Sequence, residues 1–240
     1  MLRNTKGVTV SGLVDLTLEA TANRYKALIS LCHRQAMRNG KVPSNPARLV
    51  QQQKESAGRL RYLTREEYNR VCEAIRNHFP EHLPEFIVSV NTGMRLTEQY
   101  SCTWSQVDDS RRAIGLTATK NGTARTNHLN ADALAAIESV RQPGQKPTDR
   151  VFTRQGANDR FDIRSWFAPC LAGAKITGYV WYSNRHTLCS WLAMAGATIK
   201  EIQELAGHKA ITRAARYAHL SPDHKLLVID RIAATATNSH

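Results

Sequence analysis

The spacing of apolar positions along this chain predicts a mostly helical protein with one small antiparallel sheet, a mainly α (α+β) fold. From Thr21 to Met37, Tyr25, Leu28, Leu31 and Cys32 recur on one helical face, and Gly40 follows as a stop signal. Pro43-Ser44-Asn45-Pro46 and the polar run from Gln51 to Ser56 read as a connection. One or two helices cannot enclose a core, so residues 1–58 read as part of a small helical domain. A second domain, 59–240, takes up its pattern near Arg61. Thr64 and Glu67 have capping-box spacing, and Tyr68, Val71, Cys72 and Ile75 continue as a helical stripe. A short apolar helix through Phe86-Ile87-Val88 runs into Thr92-Gly93, and residues 94–104 resume a helix. Ala113–Thr119 and Thr123–Leu129 flank Asn121-Gly122, a strong hairpin signal. Helices are expected near 131–141, 162–174, 186–195 and 198–206, the last opened by a Thr198/Glu201 capping box. Ser221-Pro222 predicts a final helix to about Ala234.

Composition narrows the function classes. An apolar fraction of 42% suffices for a core. Lys plus Arg outnumber Asp plus Glu by 33 to 20, a net charge of +13 with a pI near 9.9, which points to a polyanionic partner. Nucleic acid is favoured over membrane, because no apolar run approaches the roughly 18 residues of a spanning helix. The five cysteines (Cys32, Cys72, Cys102, Cys170, Cys189) are scattered and without a CxxC pair. They read as reduced, mostly buried thiols of a cytoplasmic protein. Pro80 interrupts the ligand-like spacing of His78 and His82, so a zinc site is not expected and both read as surface residues.

The candidate chemistry lies in a set of cationic motifs ending in a tyrosine. Arg95 and Glu98 in Thr92-Gly93-Met94-Arg95-Leu96-Thr97-Glu98 are three apart on a helix. Alone they read as a surface ion pair; with a second arginine available, Glu98 reads as the support that aims a guanidinium fork at phosphate. Lys120 stands beside the hairpin tip, where a lysine is ordinarily just solvated. Arg185 is expected to open a helix, where free N–H groups already favour an anion. His186 beside it reads as a buried structural histidine. His208 follows Gly207 after a helix, and Tyr217 comes nine residues later, flanked by Arg213 and Arg216. A phenol of pKa roughly 10 attacks poorly unless nearby cations favour the phenolate, and Arg213 and Arg216, with Arg95, Lys120, Arg185 and His208 as further cations, would supply that field. Together the set suits phosphoryl transfer onto a tyrosine, a chemistry that needs no metal, nucleotide or other cofactor.

In order and spacing these residues resemble the tyrosine recombinase (phage integrase) family over about residues 61–235. The resemblance implies that Arg95 in TGMRLTE and Arg185 in YSNRHT hold the scissile phosphate, with His208 in LAGHK beside them. It makes Lys120 in TKNG the acid for the leaving oxygen and Tyr217 in ARYAHLS the nucleophile. The expected product is a 3′-phosphotyrosyl intermediate on double-stranded DNA, with a homotetramer on paired sites exchanging C-terminal helices. Where the family usually has histidine, three residues before the second arginine, this chain has Tyr182, a far poorer proton acceptor. Residues 13–58 resemble only the second half of a core-binding domain, so an N-terminally truncated chain is expected. Alternatives from the same residues are a recombination-defective DNA-binding relic of a mobile element and a type IB topoisomerase-like activity.

Overall fold

The computed structural model describes residues 15–55, 60–116, 124–152 and 163–221, and divides the chain into two units, 1–60 and 61–240. In the first unit, α1 (Asp15–Arg38) ends where the Gly40 and Lys41 amides donate to Met37 and Ala36 carbonyls at 3.0 and 2.9 Å. A strap follows it back. Buried Asn23 donates to the Gln53 carbonyl and accepts from the Gln53 amide, each at 2.8 Å, and Asn45 donates to the Ser30 carbonyl at 3.2 Å. The strap therefore lies on the polar side of α1, and the predicted stripe of Tyr25, Leu28, Leu31 and Cys32 is solvent-exposed within this unit. Helical periodicity identified a face but not which side is covered.

The second unit is mostly helical and carries one three-stranded antiparallel sheet. α2 (Arg65–His78) starts at the expected capping box, with Glu67 N–H donating to Thr64 Oγ1 at 3.1 Å and Thr64 N–H to Glu67 at 3.0 Å. α3 (Leu83–Thr92) packs against the later helices α5 (Ala131–Glu138) and α7 (Ser183–Met194), while α2 packs against α6 (Arg164–Gly173). Phe86, Val88, Ile75, Ile137 and Phe167 meet in the core. α4 (Leu96–Ser101) is shorter than the predicted 94–104, because Cys102 and Thr103 are extended and Thr103 bridges Arg150. β2 (Ala113–Leu116) and β3 (Arg125–His128) form the expected antiparallel pair, with Ala113 opposite His128 and Leu116 opposite Arg125. The tip with Lys120 and Asn121-Gly122, like the last expected helix, lies outside the described residues. The pattern gave no warning of β1 (Val107–Asp108), a two-residue edge strand on β2. α8 (Ile199–Ala206), the short α9 (Ile211–Ala215) and a 3-10 turn (Ala218–Leu220) follow among the described residues.

A buried polar cluster fixes the rotation of α7. Asn184 donates to Ser89 Oγ on α3 at 2.9 Å and accepts from Tyr179 at 2.7 Å. Thr187 accepts from the Leu63 amide at 3.1 Å. Leaving these buried groups unpaired would be costly, so the bonds strongly specify this register. Arg185, between them, is thereby directed at the ends of α3 and α8. α7 begins at Ser183, so Arg185 is its third residue and not its opening one.

Candidate active site

Two glycine breaks bring the site together. Gly93 ends α3 with φ +59°, and a Cβ there would stand 2.8 Å from Leu188 Cδ2 on α7. Gly207 ends α8 with φ +64°, and the Arg125 side chain fills the space its Cβ would take. Both positions therefore need glycine for conformation and for space.

Arg185 is 3% exposed and bound by carbonyls. Its Nη1 donates to Gly93 O at 2.8 Å, its Nη2 to Ala206 O and, at 3.3 Å, to Gly207 O. Its Nε lies 3.4 Å from His208 Nε2. The anion-ready helix start foreseen for Arg185 is replaced by carbonyl anchoring from two other elements. Burial, then Arg95 and Arg125 nearby, pulls its pKa down to about 10, so it remains charged at neutral pH.

Glu98 does support Arg95, at 2.6 Å from Nη1, and it also accepts the Arg95 amide at 2.8 Å. Sequence reasoning missed its second cation. Arg125 on β3 donates to the other Glu98 oxygen at 2.7 Å and to Ala206 O at 2.9 Å. Ala206 O thus tethers both Arg125 and Arg185. Burial alone would push the Glu98 carboxyl up, but the Arg95 amide and the two guanidiniums outweigh it and hold the carboxyl below its ordinary range. No signal in the sequence links Arg125 to Glu98, 27 residues away, or to Ala206, 81 away.

His208 and Tyr217 complete the group. Their rings are nearly parallel (7°) with centroids 6.5 Å apart. Burial, then Arg185 and Arg213, pulls His208 down to about 4, so it is neutral at pH 7 rather than the cation expected. Tyr217 is 1% exposed. Burial pushes its pKa upward, the Cys189 thiol adds to this, and Arg216 only partly opposes it. The expectation that cations dominate the phenol is therefore corrected for the protein by itself: desolvation wins. His186, read as structural, has Nδ1 2.5 Å from the Tyr217 hydroxyl. Tyr182 is half-exposed, and Arg213 and Arg216 are exposed beside Tyr217. Away from the site, His82 is part-buried and stacked on Trp166 at 4.4 Å, not a surface residue. Among the described residues no cluster of three metal-ligating side chains occurs, and no helix is long and apolar enough to cross a membrane.

The family model described as "Phage integrase family" matches residues 61–224, a span containing every residue of this cluster. The chain belongs to the phage integrase family. It is 25% identical over 221 residues to the integrase of Salmonella phage P22, covering 85% of this chain and 55% of that protein. It is 25% identical over 203 residues to tyrosine recombinase XerC of Roseiflexus, covering 76% and 63%. The chain thus spans little more than half the length of these curated relatives. Its fold matches the Tn1549 transposon integrase solved with transposon right end DNA, at TM-score 0.70 and 20% identity over 89% of this chain and 79% of that one.

Proposed function

We propose that the chain is a site-specific DNA recombinase or integrase that cleaves and rejoins double-stranded DNA through Tyr217. The observation that carries this reading is the single cluster in which Ala206 O tethers Arg125 and Arg185, Glu98 braces Arg95, and His208 stands between Arg185 and Tyr217. Arg95 and Arg185 hold the two non-bridging oxygens of the scissile phosphate. Partners fix both guanidiniums in place, so their charge is preorganised for the pentacoordinate state. His208 adds a neutral hydrogen-bond donor, whose protonation the phosphate itself favours once bound. Tyr217 Oη attacks phosphorus, the 5′-oxygen leaves with a proton from Lys120, and DNA remains joined through a 3′-phosphotyrosyl bond. That bond conserves the energy of the broken phosphodiester, so rejoining requires no ATP. Arg213 and Arg216 face the DNA backbone, and the net charge of +13 supplies general affinity for it.

In this reading residues 59–240 form the catalytic domain and residues 1–58 belong to a core-binding domain. Four copies act on two duplexes through exchange of their C-terminal segments. The test is a denaturing gel of protein with a nicked suicide duplex. Wild type forms a covalent adduct, and Tyr217→Phe forms none while binding DNA normally. Binding without adduct in the wild type would instead mark a DNA-binding relic. Relaxation of supercoiled DNA without recombinants would mark topoisomerase-like activity.

A further inference from the structure

Cleavage must remove the Tyr217 proton, and the position where the family usually carries a histidine is here Tyr182. That ring is half-exposed and is itself a phenol, so it cannot take a proton from another phenol near neutral pH. One helical turn further along α7 stands His186, its ring edge-on to Tyr182 with centroids 5.4 Å apart. His186 Nδ1 lies 2.5 Å from the Tyr217 hydroxyl.

We infer that His186 is the general base of this site, having taken over, one turn along α7, the role that Tyr182 cannot fill. The inference rests on the reading of Tyr217 as nucleophile. In the resting site neutral His186 carries hydrogen on Nε2 and accepts a hydrogen bond from the Tyr217 hydroxyl at Nδ1. As Tyr217 Oη bonds to phosphorus, that proton passes to Nδ1 and His186 becomes an imidazolium. The bond from phosphorus to the 5′-oxygen breaks, and the 5′-oxygen takes a separate proton from the acid. In rejoining, the 5′-hydroxyl attacks, and the imidazolium returns its proton to the departing phenolate.

The surroundings favour this assignment. Burial, then Arg216 and Arg185, lowers the pKa of His186: the imidazole is unprotonated at neutral pH but a weaker base, so the proton moves only as bonding to phosphorus acidifies the phenol. Cys189, one turn further along α7, also meets the Tyr217 hydroxyl, but burial pushes that thiol up to about 11, so it is a protonated sulfhydryl. His208 faces the same space, yet its contact with Arg185 is through Nε2 and its ring only stacks on Tyr217. The titratable and charged groups facing His186 are thus Tyr182 at the start of α7, Arg185 and Cys189 on α7, His208 after α8, and Arg216 and Tyr217 after α9. Among them His186 alone joins an accepting nitrogen to direct contact with the nucleophile.

The test is single-turnover adduct formation on a suicide duplex, from pH 6 to 9, for wild type, Tyr217→Phe, His186→Asn and His186→Ala. Asparagine places a polar atom where Nδ1 stood but has no useful basicity. General-base catalysis is worth about 10²–10⁴-fold, so His186→Asn should be slower by about 10²-fold or more at pH 7. Its rate should then climb about tenfold per pH unit, because the phenolate must form before attack, while the wild-type rate is nearly flat above neutrality. DNA affinity and melting temperature should stay near wild type for His186→Asn, and added imidazole should partly restore His186→Ala. A His186→Asn rate within threefold of wild type, or a slower rate with the wild-type pH profile, would overturn the base assignment. Faster cleavage by His186→Ala would also overturn it, showing a latch that holds Tyr217 back. A wild-type chain that forms no adduct, or a Tyr217→Phe chain that forms one, removes the nucleophile reading itself and the inference with it.

Discussion

Glu98→Gln is the sharpest probe of how the site is built. The carboxylate is buried and has an arginine on each oxygen, Arg95 at 2.6 Å and Arg125 at 2.7 Å. Glutamine keeps the shape but removes the charge, and turns an NH₂ group towards one of two guanidiniums. With charge centres about 4 Å apart and an effective dielectric near 20, each pair attracts by about 4 kcal/mol. Much of this is already spent on desolvating the ions, and breaking a buried pair typically costs about 3–5 kcal/mol. The side chains of Arg95 and Arg125 retain 26% and 14% exposure, so water offsets part of the loss and the lower end, about 3 kcal/mol, applies. In a domain of this size that lowers the melting temperature by roughly 6–12 °C. The sign with pH is determined. The folded carboxyl titrates below its unfolded value, so its contribution is complete above the ordinary glutamate pKa of about 4.3 and is lost as pH falls through the folded pKa. The gap between wild type and Glu98→Gln, measured by urea unfolding, should be full at pH 7 and shrink below about pH 4.3. Adding Arg125→Gln to Glu98→Gln should cost much less than the two single losses together. Equal stability at pH 7, or strict additivity, would refute the bridging role.

Gly207→Ala should lose about 1–3 kcal/mol through the left-handed backbone alone, and it should abolish cleavage because Arg125 must leave its place against residue 207; near-normal unfolding and cleavage would contradict this. His208, depressed to about 4 in the folded chain, makes the unfolded state bind more protons between there and its ordinary pKa, so stability should fall as pH drops through that window. His208→Gln should flatten this fall in denaturant titrations at pH 7 and 5. Lys120→Ala should slow cleavage of an ordinary phosphodiester by about 10²-fold or more. It should barely affect a substrate with sulfur at the 5′ bridging position, whose thiolate leaves without a proton; equal slowing would remove Lys120 as the acid.

Local rules were readable wherever the physics is local. The Thr64/Glu67 and Thr198/Glu201 capping boxes formed as their spacing required, and the Asn121-Gly122 signal correctly paired β2 with β3. What the sequence hid depends on distant partners. Arg125 looks like any polar strand residue until β3 lies beside α4 and the α8 terminus. His186 looks structural because its contact is with a residue 31 positions later, where α7 packs against the 3-10 turn (Ala218–Leu220) that Tyr217 opens. The apolar stripe of α1 was visible, but its exposure was not, because Asn23 and Ser30 recruit the strap to the other side through hydrogen bonds that periodicity does not report. The ionisation of Tyr217 and His208 was misjudged for one reason: charges count in a sequence, whereas desolvation depends on depth.

The central claim, that Tyr217 becomes covalently joined to DNA, is tested most directly by peptide mapping of the adduct formed on a suicide duplex. After nuclease and protease digestion, mass spectrometry should find a single nucleotide-bearing peptide, fragmenting to a 3′-phosphotyrosyl modification at Tyr217. An adduct on Tyr182 or any other side chain, or a 5′ linkage at Tyr217, would contradict the account.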